Sequence, residues 1–352
     1  MPLSWIYGSI INLRNALYER GRLASLSLGA PAISVGNITV GGTGKTPMVA
    51  FVAETLAETG ARVCVLTRGY GRENPRERVL VSDGEKILTD YRKAGDEPFE
   101  LARRLLGKAL VVADADRAAA GRWAREKFGV TAFVLDDAFQ HRRARRELDI
   151  VLVDATNPFG NRKTLPFGIL REPLENLRRA GLIVVTRADL VDEEKIANLK
   201  TEISKYNPDR PVLTARNELA ALTEITEFAR SGKPPAADRR PPAADRDQAS
   251  AAFCALGNPD NFFEQLKREG FALKTTIKFP DHHRYARTDI AKIEAEARRT
   301  GAQILLTTAK DAVKLADFPF ELPCRVVESR LVFDDEKSLR KRISIFEFRI
   351  SD

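Results

Sequence analysis

The chain alternates between short, mainly apolar runs and longer segments of helical character along most of its length. Near-continuous apolar runs are typical of strands buried on both faces, and hence of a parallel sheet covered by helices. A helix is predicted at residues 46–59, with Gly60 as its stop signal. The predicted strands of this first region are residues 32–35, 62–66, 110–113, 132–135, 150–153 and 182–186.

A second α/β pattern occupies the last hundred residues. Its predicted strands are residues 252–256, 273–279, 303–307 and 324–327, and its predicted helices are residues 260–269, 289–300 and 336–346. Between the two patterns, the unit PPAADR occurs twice within a Pro-rich stretch, which predicts a flexible insertion. We therefore expect an N-terminal helix at 1–22, an α/β domain at 23–215, a linker with the flexible insertion at 216–250, and a smaller α/β domain at 251–352.

The N-terminal helix carries an apolar stripe at helical spacing, and basic residues lie elsewhere on it and at its end. Two interpretations stay open from the residues alone: the stripe packs on the protein's own core, or it lies in a membrane interface. The stripe consists of Trp5, Ile6, Ile10, Leu13 and Leu17.

Composition narrows the class of protein. The 352 residues are 43% hydrophobic and 30% charged, which is globular, and 57 Lys and Arg against 49 Asp and Glu give a net charge of +8. An excess of basic residues favours anionic partners such as nucleotide phosphates, nucleic acid or an acidic membrane surface. No apolar run is long enough for a membrane-spanning helix. The start lacks signal-peptide features, and the three cysteines show no metal-ligand spacing, so we expect a reducing, cytoplasmic location.

A Gly-rich loop, VGGTGKTP at residues 40–47, follows an apolar strand and opens a helix, as a phosphate-binding loop requires. Backbone N–H groups and the helix N-terminus attract an oxyanion there, Lys45 can reach the outer phosphates, and the Thr46 hydroxyl can bind Mg²⁺. The loop is atypical, because Thr39 stands where the usual pattern has Gly. A Gly-rich turn without chemical function is the alternative. The candidate nucleotide-binding residues are Thr39, Val40, Gly41, Gly42, Thr43, Gly44, Lys45 and Thr46.

Three further segments end predicted strands or open helices with polar residues. Asp136 and Asp137 follow an apolar strand, where a phosphate-loop protein holds Mg²⁺. Asp189, in the sequence TRAD, is a candidate contact to a nucleoside base or, alternatively, the cap of the next helix. Asp96 and Glu97, in the sequence GDEP, are read locally as an N-cap of the helix that follows.

The basic candidates are the three histidines, His141, His282 and His283, and two arginines in a Gly-containing loop, Arg68 and Arg72. The two adjacent histidines lie in a loop after a strand, a position that favours a functional role for at least one of them. The arginines are a candidate anion clamp, with a mobile surface turn as the alternative.

Eight motifs in order resemble one family, the tetraacyldisaccharide 4′-kinases of bacterial lipid A synthesis. They are NITVGGTGKTP (37–47), RGYGR (68–72), GDEP (95–98), DDAFQHR (136–142), LPFGILREP (165–173), TRAD (186–189), FPDHHRY (279–285) and TTAKDAVKL (307–315). The family usually has Gly in place of Ala138 and Glu in place of Ala309.

The resemblance implies a P-loop NTPase-like, mostly parallel sheet with flanking helices and a smaller α/β domain that closes over the nucleotide. Apart from the resemblance, a monomer is expected. It implies transfer of the γ-phosphate of ATP, with Mg²⁺, to the 4′-hydroxyl of a tetraacyl glucosamine disaccharide 1-phosphate. The product would be the lipid A precursor lipid IVA, made at the cytoplasmic face of the inner membrane. The N-terminal helix is then interpreted as a peripheral anchor on that anionic surface.

The resemblance also assigns residues. Asp96 acts with His282 or His283 on the acceptor hydroxyl, and Lys45 assists the transfer. The candidate Mg²⁺ contacts are Thr46, Glu97, Asp136 and Asp137. The candidate contacts to the acceptor are Arg68, Arg72, Arg117, His141 and Arg171.

Two other classes of function fit part of the pattern. A phosphate-loop GTPase or metallochaperone-type nucleotide switch would also pair such a loop with a TRAD-like element, but it does not explain the GDEP acids or the two adjacent histidines. A nucleic-acid-binding ATPase is suggested by the basic charge. The Lys and Arg residues are interspersed with acids rather than concentrated in one tract, so no nucleic-acid partner is expected.

Overall fold

The computed structural model describes residues 2–231 and 246–348, and these form a mixed α/β protein. The strands are β1 (Ala32–Asn37), β2 (Val63–Thr67), β3 (Val79–Ser82), β4 (Ala109–Ala113), β5 (Ala132–Asp136), β6 (Leu148–Asp154), β7 (Leu182–Thr186), β8 (Val212–Glu224), β9 (Ser250–Cys254), β10 (Leu273–Lys278), β11 (Ile304–Thr308) and β12 (Cys324–Phe333).

The helices lie between these strands and at both ends of the chain. They are α1 (Pro2–Glu19), α2 (Lys45–Glu58), α3 (Tyr91–Ala94), α4 (Asp96–Arg104), α5 (Arg117–Phe128), α6 (Glu193–Tyr206), α7 (Ile225–Ser231), α8 (Pro259–Arg268), α9 (Arg287–Arg299), α10 (Ala309–Leu315) and α11 (Glu336–Phe348). Two short 3₁₀ helices span Leu174–Arg179 and Ala188–Leu190.

Two compact units divide the chain. The first unit contains residues 1–68, 108–216 and 331–352, and the second contains residues 69–107 and 217–330. The division therefore falls inside β8 and inside β12. In contrast to the predicted segments, residues 69–107 and the described part of the linker after residue 216 belong with the second unit, and the C-terminal helix α11 belongs with the first.

The first unit is built on strands in the order β8, β7, β6, β1, β5, β2 and β4. The neighbouring strands pair in parallel, and β1 to β7 in this unit are almost fully buried. Helix α2 packs against β1, β2 and β5, and α5 packs against β2. Burial on both faces explains the near-continuous apolar runs in the sequence. The predicted α/β class with a mostly parallel sheet is confirmed.

The second unit is built on strands in the order β10, β9, β11, β12 and β8. Pairing is parallel from β10 through β9 and β11 to β12. Helix α9 packs on β9 and β10, and α10 packs on both α4 and α7. The apolar core of this unit includes Phe253, Ile293, Leu305 and Val326. The second predicted α/β pattern is thus present, with β8 and α7 as additional elements that the sequence pattern did not indicate.

Helix α1 turns its polar side toward the rest of the first unit. Ser4 and Asn15 are buried, whereas Trp5 is 75% exposed, Ile10 59% and Leu13 61%. The Ser4 hydroxyl donates to the Thr164 carbonyl oxygen over 2.6 Å, and Asn15 Nδ2 donates to Glu172 Oε2 over 2.8 Å. The interpretation in which the apolar stripe packs on the core is therefore wrong for these residues.

Part of the predicted linker lies outside the described residues. The flexible Pro-rich insertion at 231–250, including most of both PPAADR units, falls largely in the gap between residues 231 and 246, and so it stays a prediction. Among the described residues, no helix combines the length and the apolar character that crossing a bilayer requires. The three cysteines are buried free thiols.

Candidate active site

The phosphate loop occupies the centre of the first unit's sheet. Strand β1 lies between β5 and β6 and ends at Asn37, and α2 begins at Lys45, so residues 38–44 run along the carboxyl edge of the strands. Ligands of open α/β sheets bind at this edge. Gly44 precedes α2 with φ of 82°, a left-handed conformation that disfavours residues with a Cβ atom.

Contacts from three directions hold the loop. Asn37 Nδ2 donates to Thr43 Oγ1 over 3.1 Å, and the Thr186 hydroxyl donates to the Thr43 carbonyl oxygen over 3.0 Å. The Val40 amide donates to the Ile169 carbonyl oxygen over 2.8 Å. The loop is therefore positioned by β1, β7 and the LPFGILREP segment. Thr39 is buried, and Gly41 and Gly42 are exposed.

Two acids end β5 beside this loop. Asp136 lies next to Val35 of β1 in the strand register, and its Oδ2 accepts a hydrogen bond of 3.0 Å from the Thr67 hydroxyl. Asp137 follows with φ of 47°, and both of its carboxylate oxygens accept from Arg171, at 2.8 and 2.9 Å. Lys45 Nζ lies 3.7 Å from Asp137 Oδ1. The loop lysine and the acid pair are thus brought together.

The charged neighbours of Asp137 and its burial shift the pKa of its carboxyl in opposite directions. Burial alone raises the pKa of this carboxyl, but Lys45 and Arg171 outweigh that effect and hold the pKa below its ordinary value. Asp137 is therefore a carboxylate at neutral pH. Ala138, which replaces the usual Gly of the motif, is fully buried and has no positive φ, so the left-handed turn falls on Asp137 instead.

The donor set at this edge suits a magnesium ion. Thr46 supplies a hydroxyl at the start of α2, and Asp136 and Asp137 supply carboxylates at the end of the neighbouring strand. Hard oxygen donors of this kind are those that Mg²⁺ prefers. The fourth candidate, Glu97, lies in the second unit, where its Oε1 is 3.5 Å from Lys310 Nζ.

Most of the basic candidates for acceptor binding are in the first unit. Arg171 pairs with Asp137, and Arg117 is 4% exposed at the start of α5. Burial lowers the pKa of Arg117, although Asp136 opposes that effect. Arg68 is exposed at the end of β2, whereas Arg72 lies in the second unit, is buried and donates to the Pro75 carbonyl oxygen over 2.7 Å.

His141 is half-buried in a basic environment. Burial, with help from Arg117 and Arg146, lowers its pKa to about 4. The imidazole is therefore uncharged at neutral pH, so it offers hydrogen bonding rather than a positive charge.

Asp189 does not cap the following helix. It lies in the 3₁₀ helix Ala188–Leu190, and the N-cap of α6 is Asp192, whose carboxylate accepts from the Lys195 amide over 2.8 Å. Arg187 just before it has φ of 56° and forms an ion pair with Asp154. The capping interpretation of Asp189 is therefore wrong, and contact with a nucleoside base stays a prediction.

The GDEP acids begin helix α4 in the second unit. The N-cap position belongs to Gly95, with φ of 93°, and no side chain caps the helix there. A Cβ atom on Gly95 would lie 2.8 Å from the Tyr70 carbonyl oxygen, so this position requires Gly. The N-capping interpretation of Asp96 and Glu97 is therefore wrong, which leaves both carboxylates available for other contacts.

Asp96 contacts His282. Its two carboxylate oxygens lie 3.2 and 3.0 Å from His282 Nδ1, and the Asp96 side chain is 8% exposed against 24% for His282. The backbone of His282 is left-handed, with φ of 60°, and its amide donates to Asp281 Oδ1 over 3.0 Å. The Tyr70 ring lies against the imidazole, with 5.1 Å between the ring centroids.

The two partners shift each other's titration in opposite directions. The hydrogen bond to Asp96 raises the pKa of His282, against the effect of burial. Burial raises the pKa of Asp96, but His282 and the nearby lysines outweigh it, so the pKa lies below its ordinary value. A proton taken up by the pair therefore resides on the imidazole.

His283 is placed differently. Its Nε2 lies 3.0 Å from Asp289 Oδ2, and its ring stacks on Phe279 with 4.8 Å between centroids. Asp289 also accepts from the Ala286 amide at the start of α9. Of the two adjacent histidines, the structure thus brings His282 to Asp96 and ties His283 to the N-terminus of α9.

Sequence reasoning missed two lysines of α10. Lys310 Nζ lies 3.0 Å from Asp281 Oδ1 as well as 3.5 Å from Glu97, and Lys314 Nζ lies 3.8 Å from Asp96 Oδ2. The signal was in the TTAKDAVKL motif, because residues four apart share one face of a helix. The motif supports the family resemblance as a whole, without a role for Lys310 or Lys314.

Comparisons with known proteins show the family to which this chain belongs. A model of the family described as LpxK, tetraacyldisaccharide-1-P 4′-kinase, matches residues 1–345. The chain belongs to this family. It is 39% identical over 315 residues to the tetraacyldisaccharide 4′-kinase of Halothermothrix orenii, covering 89% of this chain and 82% of that protein. It is 40% identical over 313 residues to the enzyme of the same name from Geobacter metallireducens, covering 89% and 87%.

A solved structure of the LpxK family has the same fold. It is a crystal structure of "apo" form LpxK from Aquifex aeolicus in complex with ATP, with a TM-score of 0.75 and 31% sequence identity over 99% of this chain and 98% of that one. The resemblance inferred from the eight motifs is thus confirmed. Membership of a kinase family also disfavours the nucleotide-switch alternative.

Proposed function

We propose that this LpxK-family chain transfers the γ-phosphate of ATP to the 4′-hydroxyl of a tetraacyl glucosamine disaccharide 1-phosphate, forming the lipid A precursor lipid IVA. The observation that carries the proposal is the Asp96–His282 pair, with 3.0 Å between Oδ2 and Nδ1. A kinase that phosphorylates an alcohol needs a group to accept the hydroxyl proton, whereas a nucleotide switch has no use for such a pair.

The phosphate loop holds the donor nucleotide. Its backbone amides and Lys45 attract the phosphates at the N-terminus of α2, and residues 39–46 form the binding loop. Asp189 follows β7, which is separated from β1 by one strand in the sheet, and it contacts the base. Thr46, Asp136 and Asp137 would hold Mg²⁺, with Glu97 as a further candidate, and the bound ion would supply neutralisation of charge on the phosphates.

The Asp96–His282 pair activates the acceptor. The pair takes the proton of the 4′-hydroxyl as its oxygen bonds to phosphorus, and the proton comes to rest on the imidazole, because the pKa of His282 is raised and that of Asp96 is lowered. His283 supports the loop through Asp289 rather than joining the proton transfer. The tilted ring contact with Tyr70 helps to orient the imidazole.

The anionic and polar parts of the acceptor are bound by basic side chains. Arg171 and Arg117 stand beside the acid pair at the loop, and the neutral His141 imidazole offers a hydrogen bond. Arg68 is exposed and is suited to contact the 1-phosphate. Arg72 is engaged with Pro75, which supports a role in shaping its own loop.

The chain acts as a monomer on the cytoplasmic face of the inner membrane. Helix α1 supports the location at the membrane, because Trp5, Ile10 and Leu13 are exposed while the inward side of the helix is hydrogen-bonded. Apolar side chains on an interfacial helix insert into the headgroup region, and a net charge of +8 favours an anionic leaflet. The acyl chains of the substrate can then stay in the bilayer.

The test is a phosphoryl-transfer assay. Purified full-length chain is incubated with ATP labelled at the γ-phosphate and a micellar tetraacyl disaccharide 1-phosphate, with unlabelled GTP as competitor. We expect labelled bis-phosphorylated lipid whose formation GTP does not suppress. A substrate lacking the 4′-hydroxyl is the control and should give none. Hydrolysis of GTP without lipid phosphorylation would overturn the proposal in favour of a nucleotide switch.

A further inference from the structure

Helix α10 places two lysines of the TTAKDAVKL motif at one side of the Asp96–His282 pair. Lys310 reaches Asp281 and Glu97, and Lys314 reaches Asp96. Up to this point the two lysines matter only through their charge, which helps to lower the pKa of Asp96. Lys314 is the more telling of the two, because it is 5% exposed.

The buried ammonium of Lys314 needs opposite charges close to it. Taking a lysine charge out of water is costly unless an opposite charge is close. Lys314 Nζ has two such charges in reach, Asp311 Oδ1 at 3.0 Å and Asp96 Oδ2 at 3.8 Å. Asp311 is the nearer partner of the ammonium, and Asp96 interacts with it at the longer distance.

Asp311 is the fixed end of this arrangement. It is fully buried, and its Oδ2 accepts from the Ala255 amide over 3.0 Å and from the Thr308 hydroxyl over 2.8 Å. These bonds tie Asp311 to β9 and to the start of α10. Lys314 also lies over the Tyr285 ring, with its Nζ 5.5 Å from the centroid. The ammonium is therefore held by Asp311 and by the Tyr285 ring in addition to its contact with Asp96.

Asp96 has few other anchors. Among the described residues, His282 and Lys314 are the basic side chains within 4 Å of its carboxylate. His282 lies in a loop and has a left-handed backbone conformation, whereas Lys314 lies on α10, which packs against α4. Lys314 thus gives the Asp96 carboxylate a second charged contact, from a helix that packs against α4.

We propose that Lys314 is a positioning residue for the reaction: its buried ammonium, fixed by Asp311, holds the Asp96 carboxylate in place against His282 Nδ1. This inference rests on the proposed role of Asp96. It predicts that loss of the ammonium displaces the carboxylate and slows the transfer step. It also predicts that binding of the two substrates is preserved.

The first test compares full-length Lys314→Met with the wild type in the lipid kinase assay. We expect kcat to fall by about 10²-fold, the cost of a misplacement on the order of 1 Å, with KM for ATP and for the lipid within about twofold. Lys292→Met, at an exposed position of α9, is the matched control and should keep its activity. An unchanged kcat in folded Lys314→Met would overturn the inference.

The double variant Lys314→Met/Asp311→Asn separates positioning from simple ion pairing. Replacing both members of a buried pair removes the stranded charge and is often close to neutral for folding. If Lys314 only balances Asp311, activity returns in the double variant, and the inference is wrong. If Lys314 positions Asp96, kcat stays low although the thermal transition recovers. This variant also decides the question where Lys314→Met alone does not fold.

A third variant tests the path through Asp96. If Lys314 acts through this carboxylate, Lys314→Met costs little further activity in an Asp96→Asn background, whereas independent effects multiply. Full activity in Asp96→Asn would remove the proposed role of Asp96 and this inference together. A slow Asp96→Asn with a fast Lys314→Met would remove this inference alone.

Discussion

Asp96 and His282 are 186 residues apart in the chain, yet Asp96 Oδ2 lies 3.0 Å from His282 Nδ1. The first residue starts helix α4 and the second lies in the loop after β10. Both elements belong to the second unit, which therefore contains the complete carboxylate–imidazole pair. The first unit contains the phosphate loop with its acid pair. Each unit thus carries one half of the proposed chemistry.

Lys45→Ala should abolish most phosphoryl transfer and leave the fold intact. Lys45 is half-buried at the start of α2, and its ammonium is the cation of the loop itself. We expect kcat to fall by on the order of 10²–10³-fold, the typical cost of losing one electrostatic contact to the transferred group. The circular dichroism spectrum of Lys45→Ala should match that of the wild type. Lys195→Ala, a substitution at an exposed position, is the control and should behave like the wild type. Normal turnover in Lys45→Ala would contradict the assignment of the phosphate loop.

Asp96→Asn should act on the chemical step. The amide keeps the size of the carboxylate but cannot share a proton with His282 as the acid does. We expect kcat to fall by on the order of 10²–10⁴-fold, with the affinity for ATP unchanged, as measured by steady-state kinetics and equilibrium binding. A variant with weakened ATP binding and near-normal kcat would instead identify Asp96 as a metal or structural residue.

The rate should fall on the acid side through the titration of His282. The hydrogen bond to Asp96 raises the pKa of this imidazole, and a protonated pair cannot accept the hydroxyl proton. As pH decreases through that raised pKa, kcat/KM should fall by up to about tenfold per pH unit. His282→Gln should be slow and should lack this acid limb. An acid limb that persists unchanged in His282→Gln would show that another group titrates.

His141 should make the protein less stable in mild acid. Burial lowers its pKa from 6.5 to about 4, so between these values the unfolded chain binds a proton that the folded chain does not. The free energy of unfolding contributed by this site therefore decreases as pH falls from about 6.5 to about 4, and is constant above that range. In denaturant titrations over this pH range, the free energy of unfolding of the wild type should therefore decrease more steeply with falling pH than that of His141→Gln. Parallel pH profiles would contradict the shift.

The exposed side of α1 should govern vesicle binding but not stability. Replacing Trp5, Ile10 and Leu13 by Ser removes apolar area that is already in water in the isolated protein. We expect affinity for anionic phospholipid vesicles to drop by at least about tenfold, with the thermal midpoint unchanged. The control is Leu88→Ser, an exposed leucine of the second unit. Equal vesicle binding by the triple variant would exclude α1 as the anchor.

The sequence was sufficient for the features that depend on local pattern. Strands β1, β5 and β7 are short apolar runs because both of their faces are buried, and the acids that follow β5 lie beside the loop because neighbouring parallel strands end at the same edge. The fold class and the phosphate loop follow from such runs and from the residues after them.

Other features depend on contacts between distant segments. Spacing could not distinguish His282 from His283, since adjacent loop residues point in different directions once a left-handed turn intervenes. The apolar stripe of α1 has the same periodicity whether it faces the core or the solvent. In the sequence, Lys314 resembles any other charged residue of a helix, because only the structure shows the carboxylates of Asp96 and Asp311 around it.

Ser4 and Asn15 attach the inward side of helix α1 through hydrogen bonds, whereas Trp5, Ile10 and Leu13 on its outer side are exposed. The apolar residues on its outer side are consequently free of packing constraints from the rest of the protein. Their size and number can change during evolution to match bilayers of different lipid composition, while Ser4 and Asn15 keep the helix seated. Divergence among relatives should therefore concentrate on the outward positions of this helix and spare the inward polar ones.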